Sequence, residues 1–239
     1  MKIDKRKKYM VVLDIETANS AEDAIAYDIG FAVVDKKGNI YESYSFMMAE
    51  MFLDHSEDEM MTTAYYAEKL PNYWKDYRKG ERKLVSIYTA RKILKEVCNR
   101  WNIGEIWAYN AYFDKNGCNR TLRYLTKSKA RWFFPYGIEI KCIWHYACQT
   151  LCKQRNFFKF CMKNGFISPS GNLKTSAEVV YAYMTNNPNF EESHTGLEDV
   201  EIEAAILSKC IRQHKKADTN INRLCWRIPQ SPFRIWQNA

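Results

Sequence analysis

Nothing in the 239 residues forms an apolar run long enough to cross a membrane. The first such run, at residues 9–13, stops at Asp14. The basic start (Lys2, Lys5, Arg6, Lys7, Lys8) therefore lacks the apolar stretch of about 7–15 residues that a secretory signal needs. A cytoplasmic location is expected, with the eight cysteines kept as thiols. No two cysteines form a C-x-x-C pair. Cys148 and Cys152 stand four apart, with Cys142 and Cys161 nearby, so a zinc site remains an alternative to buried core thiols. There is no internal repeat or low-complexity tract, which excludes a solenoid. Acids are in the minority, 28 against 36 Lys and Arg, for a net charge of +8. That balance favours a polyanionic partner over a neutral one, but basic solubility alone would explain it equally well.

What is present is globular. Apolar residues make up 46% and charged residues 27%, which excludes a disordered chain, and the length supplies one sizeable core or two small ones. Residues 8–17, 27–35 and 40–48 read as three strands, with Gly38 in the second hairpin turn. Residues 50–83 break the pattern. They are rich in charge and in Tyr65, Tyr66, Tyr73, Trp74 and Tyr77, and read as a helical insertion. Helical periodicity follows over 84–101, a strand over 105–110, a helix over 113–125, and a strand over 138–143 running into a helix at 144–151. Residues 174–185 read as a further helix. A last one begins near Thr195, whose spacing to Glu198 is that of a capping box. The chain is thus expected to be α/β, a mixed five-stranded sheet flanked by helices.

Three groups of residues carry chemistry. Asp14 and Glu16 end the first strand on one face, roughly 7 Å apart, where a divalent cation would relieve their repulsion. Strand-ending acids that meet solvent are the plain alternative. Asn110 and Asp114 lead from a strand into a helix, where an acid also complements the helix dipole. His194 lies in a loop just before a helix whose first turn carries Asp199. Each group is weak alone.

In combination and order they resemble the DEDDh 3′–5′ exonucleases of the DnaQ-like superfamily, which have a ribonuclease H-like fold. The matching stretches are Val-Val-Leu-Asp-Ile-Glu-Thr at 11–17, Ala-Tyr-Asn-Ala-Tyr-Phe-Asp at 108–114 and His-Thr-Gly-Leu-Glu-Asp at 194–199. The resemblance covers about 8–213 apart from the insertion, and implies an exonuclease domain over 1–214 followed by a basic, aromatic tail over 215–239. Within the insertion, Ala-Tyr-Tyr-Ala-Glu-Lys-Leu-Pro at 64–71 resembles stand-alone exonucleases of phages and bacteria. A phage-encoded enzyme would act in the host cytoplasm.

The resemblance implies two divalent cations, Mg²⁺ or Mn²⁺, held by Asp14, Glu16, Asp114 and Asp199. Asp14 would bridge the ions, Glu16 would also position the attacking water, and His194 would take its proton. Thr17 and Asn110 would contact substrate. Two such ions, about 3.5–4 Å apart, stabilise both the attacking and the leaving oxygen of a phosphodiester. A histidine pKa of about 6.5 suits a general base. Tyr65, Tyr66, Tyr73 or Trp74 could stack on bases at roughly 1–3 kcal/mol each, with packing of the insertion as the alternative. The expected partner is single-stranded or frayed 3′-ended DNA, with RNA as the alternative substrate. A polymerase or a second copy of the chain stands as candidate protein partner, and no membrane is expected. A catalytically silent nucleic-acid-binding module is the reading from another class. Departures from the family pattern are Tyr109 before the asparagine, Ala18 and Asn19 after Asp-x-Glu-Thr, and Gly196 where alanine is frequent.

Overall fold

The structure is a computed structural model that describes every residue except 1, 2, 5, 20, 21, 127, 128, 130 and 231–239. Phe233, Arg234 and Trp236 of the expected tail lie outside the described residues. In chain order the elements are β1 (Tyr9–Ala18), β2 (Ile25–Asp35), β3 (Ile40–Met48), α1 (Glu59–Thr62), α2 (Leu70–Lys79), β4 (Lys83–Val85) and α3 (Ile87–Trp101). There follow β5 (Glu105–Ala108), α4 (Ala111–Leu125), β6 (Glu139–Cys142), α5 (Ile143–Thr150), α6 (Arg155–Asn164), α7 (Ala177–Thr185) and α8 (Gly196–Arg212). One mixed sheet runs β4-β3-β2-β1-β5-β6. The meander β1–β2–β3 is antiparallel, and β4, β5 and β6 join parallel to their neighbours.

The expected α/β fold is present, with six strands rather than five. The added strand, β4, is three residues long, too short for a period to declare itself, and the sequence pattern merges it into the following helix. Ser86 separates the two: its hydroxyl accepts a hydrogen bond from the Thr89 amide at 3.1 Å and starts α3 at Ile87. Helix α6 was also not anticipated. Only Phe157 and Cys161 form its buried face, and the neighbouring Phe158 and Phe160 blur the helical period. The inserted segment is helical as expected, with a π-helical turn at Glu50–Asp54 ahead of α1 and α2.

Strand alternation explains where the polar site lies. Tyr9, Val11, Leu13 and Ile15 of β1 face a core built with α3, α4 and the insertion. Met10 and Val12 face the other core, built with α5, α6, α7 and α8. Asp14 and Glu16 continue this second row past the end of the apolar run. At that point α8 lies directly on β2. A Cβ on Gly30 would come within 2.2 Å of the Gly196 carbonyl carbon, and one on Gly196 within 2.7 Å of the Gly30 amide. This contact accounts for glycine at 196: alanine has no room there.

The segment after α8 folds back on the body. The Thr219 carbonyl accepts from the Cys142 amide at 2.8 Å, and the Asn220 carbonyl lies 2.8 Å from His145 Nδ1. The Gln230 carboxamide accepts from the Leu173 amide (2.8 Å) and donates to its carbonyl (3.2 Å).

Candidate active site

The C-terminal half of β1, the N-terminus of α4, the loop before α8 and α8 itself meet in one cavity of about 640 Å³. Asp14, Glu16, Asn110, Asp114, His194 and Asp199 all line it. These sequence-predicted residues are therefore brought together from three distant stretches. Thr17 does not line the cavity. It sits one residue further on, where a bulge breaks the β1–β2 register between Glu16↔Asp28 and Thr17↔Ala26.

Helix geometry supplies more acid than the motifs contain. Gly196, Asp199 and Glu203 share a face of α8 at spacings of three and four, so seating Gly196 on β2 turns both carboxylates toward Asp14. Glu192, in the loop before His194, also lines the cavity. Sequence reasoning missed both Glu203 and Glu192. The spacing Asp199–Glu203 was the available signal, hidden beside the apolar stripe of the same helix.

Six carboxyl groups crowded into one cleft resist ionisation. Burial raises Asp14 well above the usual carboxylate range, with Glu203, Asp114, Glu16 and Asp199 adding repulsion. Burial, then Asp199 and Asp28, pushes Glu16 to about 9. Burial takes Asp114 to about 8, against the backbone amides of Asp114 and Ile15. Glu192 rises to about 8 and Asp199 to about 7, burial again being the main cause. Glu203 rises well above its ordinary value through burial and the nearby Asp114 and Asp199. One oxygen each of Asp199, Glu203 and Glu192 is buried with no hydrogen-bond partner. Such oxygens are costly unless a cation meets them. Ligand atoms of Glu16, His194 and Asp199 lie within 4.8 Å of one another, the only group of three or more candidate ligands among the described residues. The donor set is oxygen-rich and suits a hard divalent cation. The cysteines form no such group. All eight are buried free thiols, and burial pushes Cys161 up to about 12.

His194 is held from the insertion side. Its imidazole stacks on Tyr66 with centroids 4.1 Å apart and planes 14° apart. Lys69 lies 4.8 Å from the same tyrosine ring, and its ammonium donates to the Ser193 carbonyl. Burial and Lys69 lower the His194 pKa, which favours the neutral ring. His194 also adopts φ 51°, a left-handed backbone that non-glycine residues seldom take outside constrained loops. Of the other aromatic candidates, Tyr65 is 84% exposed, whereas Tyr73 is 1% exposed and donates to Asp28 at 2.8 Å. Tyr73 is thus a core residue and cannot stack on a base. Trp74 packs edge-on against Phe52.

Asp28 ties the insertion to the site. It accepts from Tyr73, from Arg82 at 3.1 Å and from the Gly196 amide at 2.9 Å. Arg82 also reaches Glu198 at 3.2 Å. Thr195 occupies the N-cap position expected of it, but its hydroxyl donates to Glu198 instead of accepting from the helix backbone.

No family model matches the chain, and no curated protein matches it. Among solved structures it is similar to cell-death related nuclease 4 at 11% identity and TM-score 0.50, over 90% of this chain and 67% of that one. It is also similar to exonuclease I in complex with the inhibitor BCBP, at 13% identity and TM-score 0.50, over 96% of this chain. A third match is exonuclease I of E. coli in complex with a dA16 oligonucleotide, at 12% identity and TM-score 0.49. The chain spans 44% and 43% of these two exonuclease I chains. At such identities the likeness concerns the fold, and the chain has the mixed α/β, ribonuclease H-like fold that its motifs led us to expect.

Proposed function

We propose that the protein is a divalent-metal-dependent 3′–5′ exonuclease of the DEDDh type. It hydrolyses the terminal phosphodiester of a single-stranded 3′ end and releases nucleoside 5′-monophosphates. The observation that carries this reading is the convergence, in one cavity, of Asp14, Glu16, Asp114 and Asp199 with His194 and three unpartnered carboxylate oxygens. Asp14, Glu16, Asp114 and Asp199 would hold two Mg²⁺ or Mn²⁺ ions. When bound, such ions stabilise negative charge on the attacking and leaving oxygens.

The chain's own residues do the rest. Neutral His194 accepts a proton from the water that attacks phosphorus. The bond from phosphorus to the 3′-oxygen of the penultimate nucleotide breaks, and that oxygen takes a proton from solvent water, to which His194 later returns its own. Glu16 orients the water. Tyr66 steadies the His194 imidazole through its ring stack. Asn110, which lines the cavity, contacts the terminal nucleotide. Glu203 and Glu192 add charge behind the ligands.

The test uses 5′-labelled DNA and RNA single strands of one sequence with Mg²⁺ or Mn²⁺, comparing wild type with Asp14→Ala. The expected result is a ladder shortening from the 3′ end that disappears with EDTA and in the variant. A ladder on RNA alone would make the enzyme an exoribonuclease with the same site. No cleavage by folded wild type would refute the nuclease reading and favour a binding module.

A further inference from the structure

The carboxylate cavity does not end at the carboxylates. It shares Asn110, Phe113, Trp144 and Trp226 with a second hollow of about 560 Å³. The far side of that hollow is lined by Tyr112, Asn116, Arg120 and Arg223, with the exposed Glu22 as its acidic lining residue. Acidic residues thus dominate the first hollow, and arginines and aromatic rings the one adjoining it, the two forming the walls of one groove if a strand passes Asn110, Phe113, Trp144 and Trp226.

Two separate parts of the chain build the basic end. Tyr112, Asn116 and Arg120 recur every four residues along one face of α4 and span about 12 Å. Arg223 and Trp226 come from the segment that follows α8. The Thr219, Asn220 and Gln230 contacts with the end of β6, α5 and Leu173 hold this segment in place. The Arg223 guanidinium lies 4.4 Å from the centre of the Tyr112 ring, so the two parts meet. Trp144 is steadied by its indole N–H, which donates to the Thr175 hydroxyl at 2.9 Å. Arg120 has a buried guanidinium nitrogen with no hydrogen-bond partner among the described residues. None of these groups has a role in cleaving a bond.

We infer that this groove is a subsite for the nucleotides upstream of the scissile bond, with Arg120 and Arg223 meeting phosphates and Tyr112 and Trp226 meeting bases. The inference rests on the proposed exonuclease function and extends it. The occupant is a single strand of several nucleotides. Every base offers a flat face to an aromatic ring, and every linkage offers a charge to a guanidinium. A single strand also fits the continuity with the candidate active site, because its 3′ end would lie among the carboxylates while its body follows the arginines. The segment after α8 is then part of the substrate-binding surface.

The test compares cleavage of a DNA dinucleotide and a DNA decanucleotide by wild type, Arg223→Ala and Tyr112→Ala. Both side chains are exposed, so melting temperatures should not move. In each variant the ratio of kcat/KM on the decanucleotide to that on the dinucleotide should fall about tenfold, mostly through KM. In Arg223→Ala the salt dependence of decanucleotide binding should also become shallower, by roughly 0.7 in log–log slope for one lost phosphate contact. If wild type cleaves and the ratio stays the same in both variants, the subsite is refuted and the exonuclease reading stands. If wild type cleaves neither substrate, that reading fails, and fluorescence anisotropy with the labelled decanucleotide in EDTA decides the subsite. Weaker binding by the variants would support it, and equal binding or none would overturn it.

Discussion

At the scale of single residues, Glu203 bears most directly on how the site works. It is 3% exposed, one of its oxygens has no partner, and it faces Asp14, Asp114 and Asp199. A carboxyl group with a higher pKa in the folded than in the unfolded chain binds protons on folding. Stability then falls as pH rises between the two values. Glu203→Gln removes that cost. Without metal, the variant should melt above wild type at pH 8 and coincide with it near pH 4, which scanning calorimetry in EDTA would detect. Activity should fall about 10–100-fold, as for residues that support metal ligands, because negative charge behind the ligands is lost. Equal melting at pH 8 would mean that Glu203 is not repelled by its neighbours.

At the scale of elements, the N-terminus of α8 carries both the histidine loop and Asp199. Two contacts place it: the Gly30–Gly196 approach and the Asp28 carboxylate on the Gly196 amide. Asp28 is fully buried and relies on Arg82 for its charge partner, with side-chain exposures of 4% for Arg82 and 0% for Asp28. Burial raises the Asp28 pKa, while Arg82 and its hydrogen bonds oppose the rise. Removing one member of a buried pair costs roughly 3–5 kcal/mol, because the other is left charged and alone. Arg82→Ala should therefore lower urea stability by about that much and loosen the start of α8. The double variant Asp28→Asn with Arg82→Ala should lose less, since no orphan charge remains. A double variant that lost the sum of the two single effects would show that the pair is not coupled.

At the scale of the whole molecule, charge is divided. The chain carries a net +8, yet one cavity gathers six acids. The pKa of Asp199 rises to about 7, those of Asp114 and Glu192 to about 8, and that of Glu16 to about 9. All start from ordinary values near 4. The metal-free protein should therefore lose stability steadily from about pH 4 to pH 9. Saturating Mn²⁺ should raise the melting temperature, and raise it more at pH 8 than at pH 5, because cations compete with protons for the same oxygens. A melting temperature that is flat with pH and indifferent to Mn²⁺ would contradict the electrostatic picture of the cavity.

Much of this was legible in the residues themselves. The alternation of β1 places Asp14 and Glu16 on one face, because side chains in a strand alternate whatever surrounds them. The meander, the periods of the more amphipathic helices and the start of α8 after Thr195 are likewise local and could be read locally. What the sequence left open depends on contacts between distant residues. Strand β4 exists only through its pairing with Phe46, Met47 and Met48. Glu203 is part of the site only because two glycines far apart in the chain, Gly30 and Gly196, let α8 lie directly on β2. Of the tyrosines read either as base platforms or as packing for the insertion, Tyr66 stacks on His194 and Tyr73 packs as a buried partner of Asp28. The segment after α8, read as a basic tail, is held against α5 by hydrogen bonds to backbone groups, which carry no sequence signature. Local pattern decided which elements form and which residues can ionise. Close packing and long-range hydrogen bonding decided which of those residues meet.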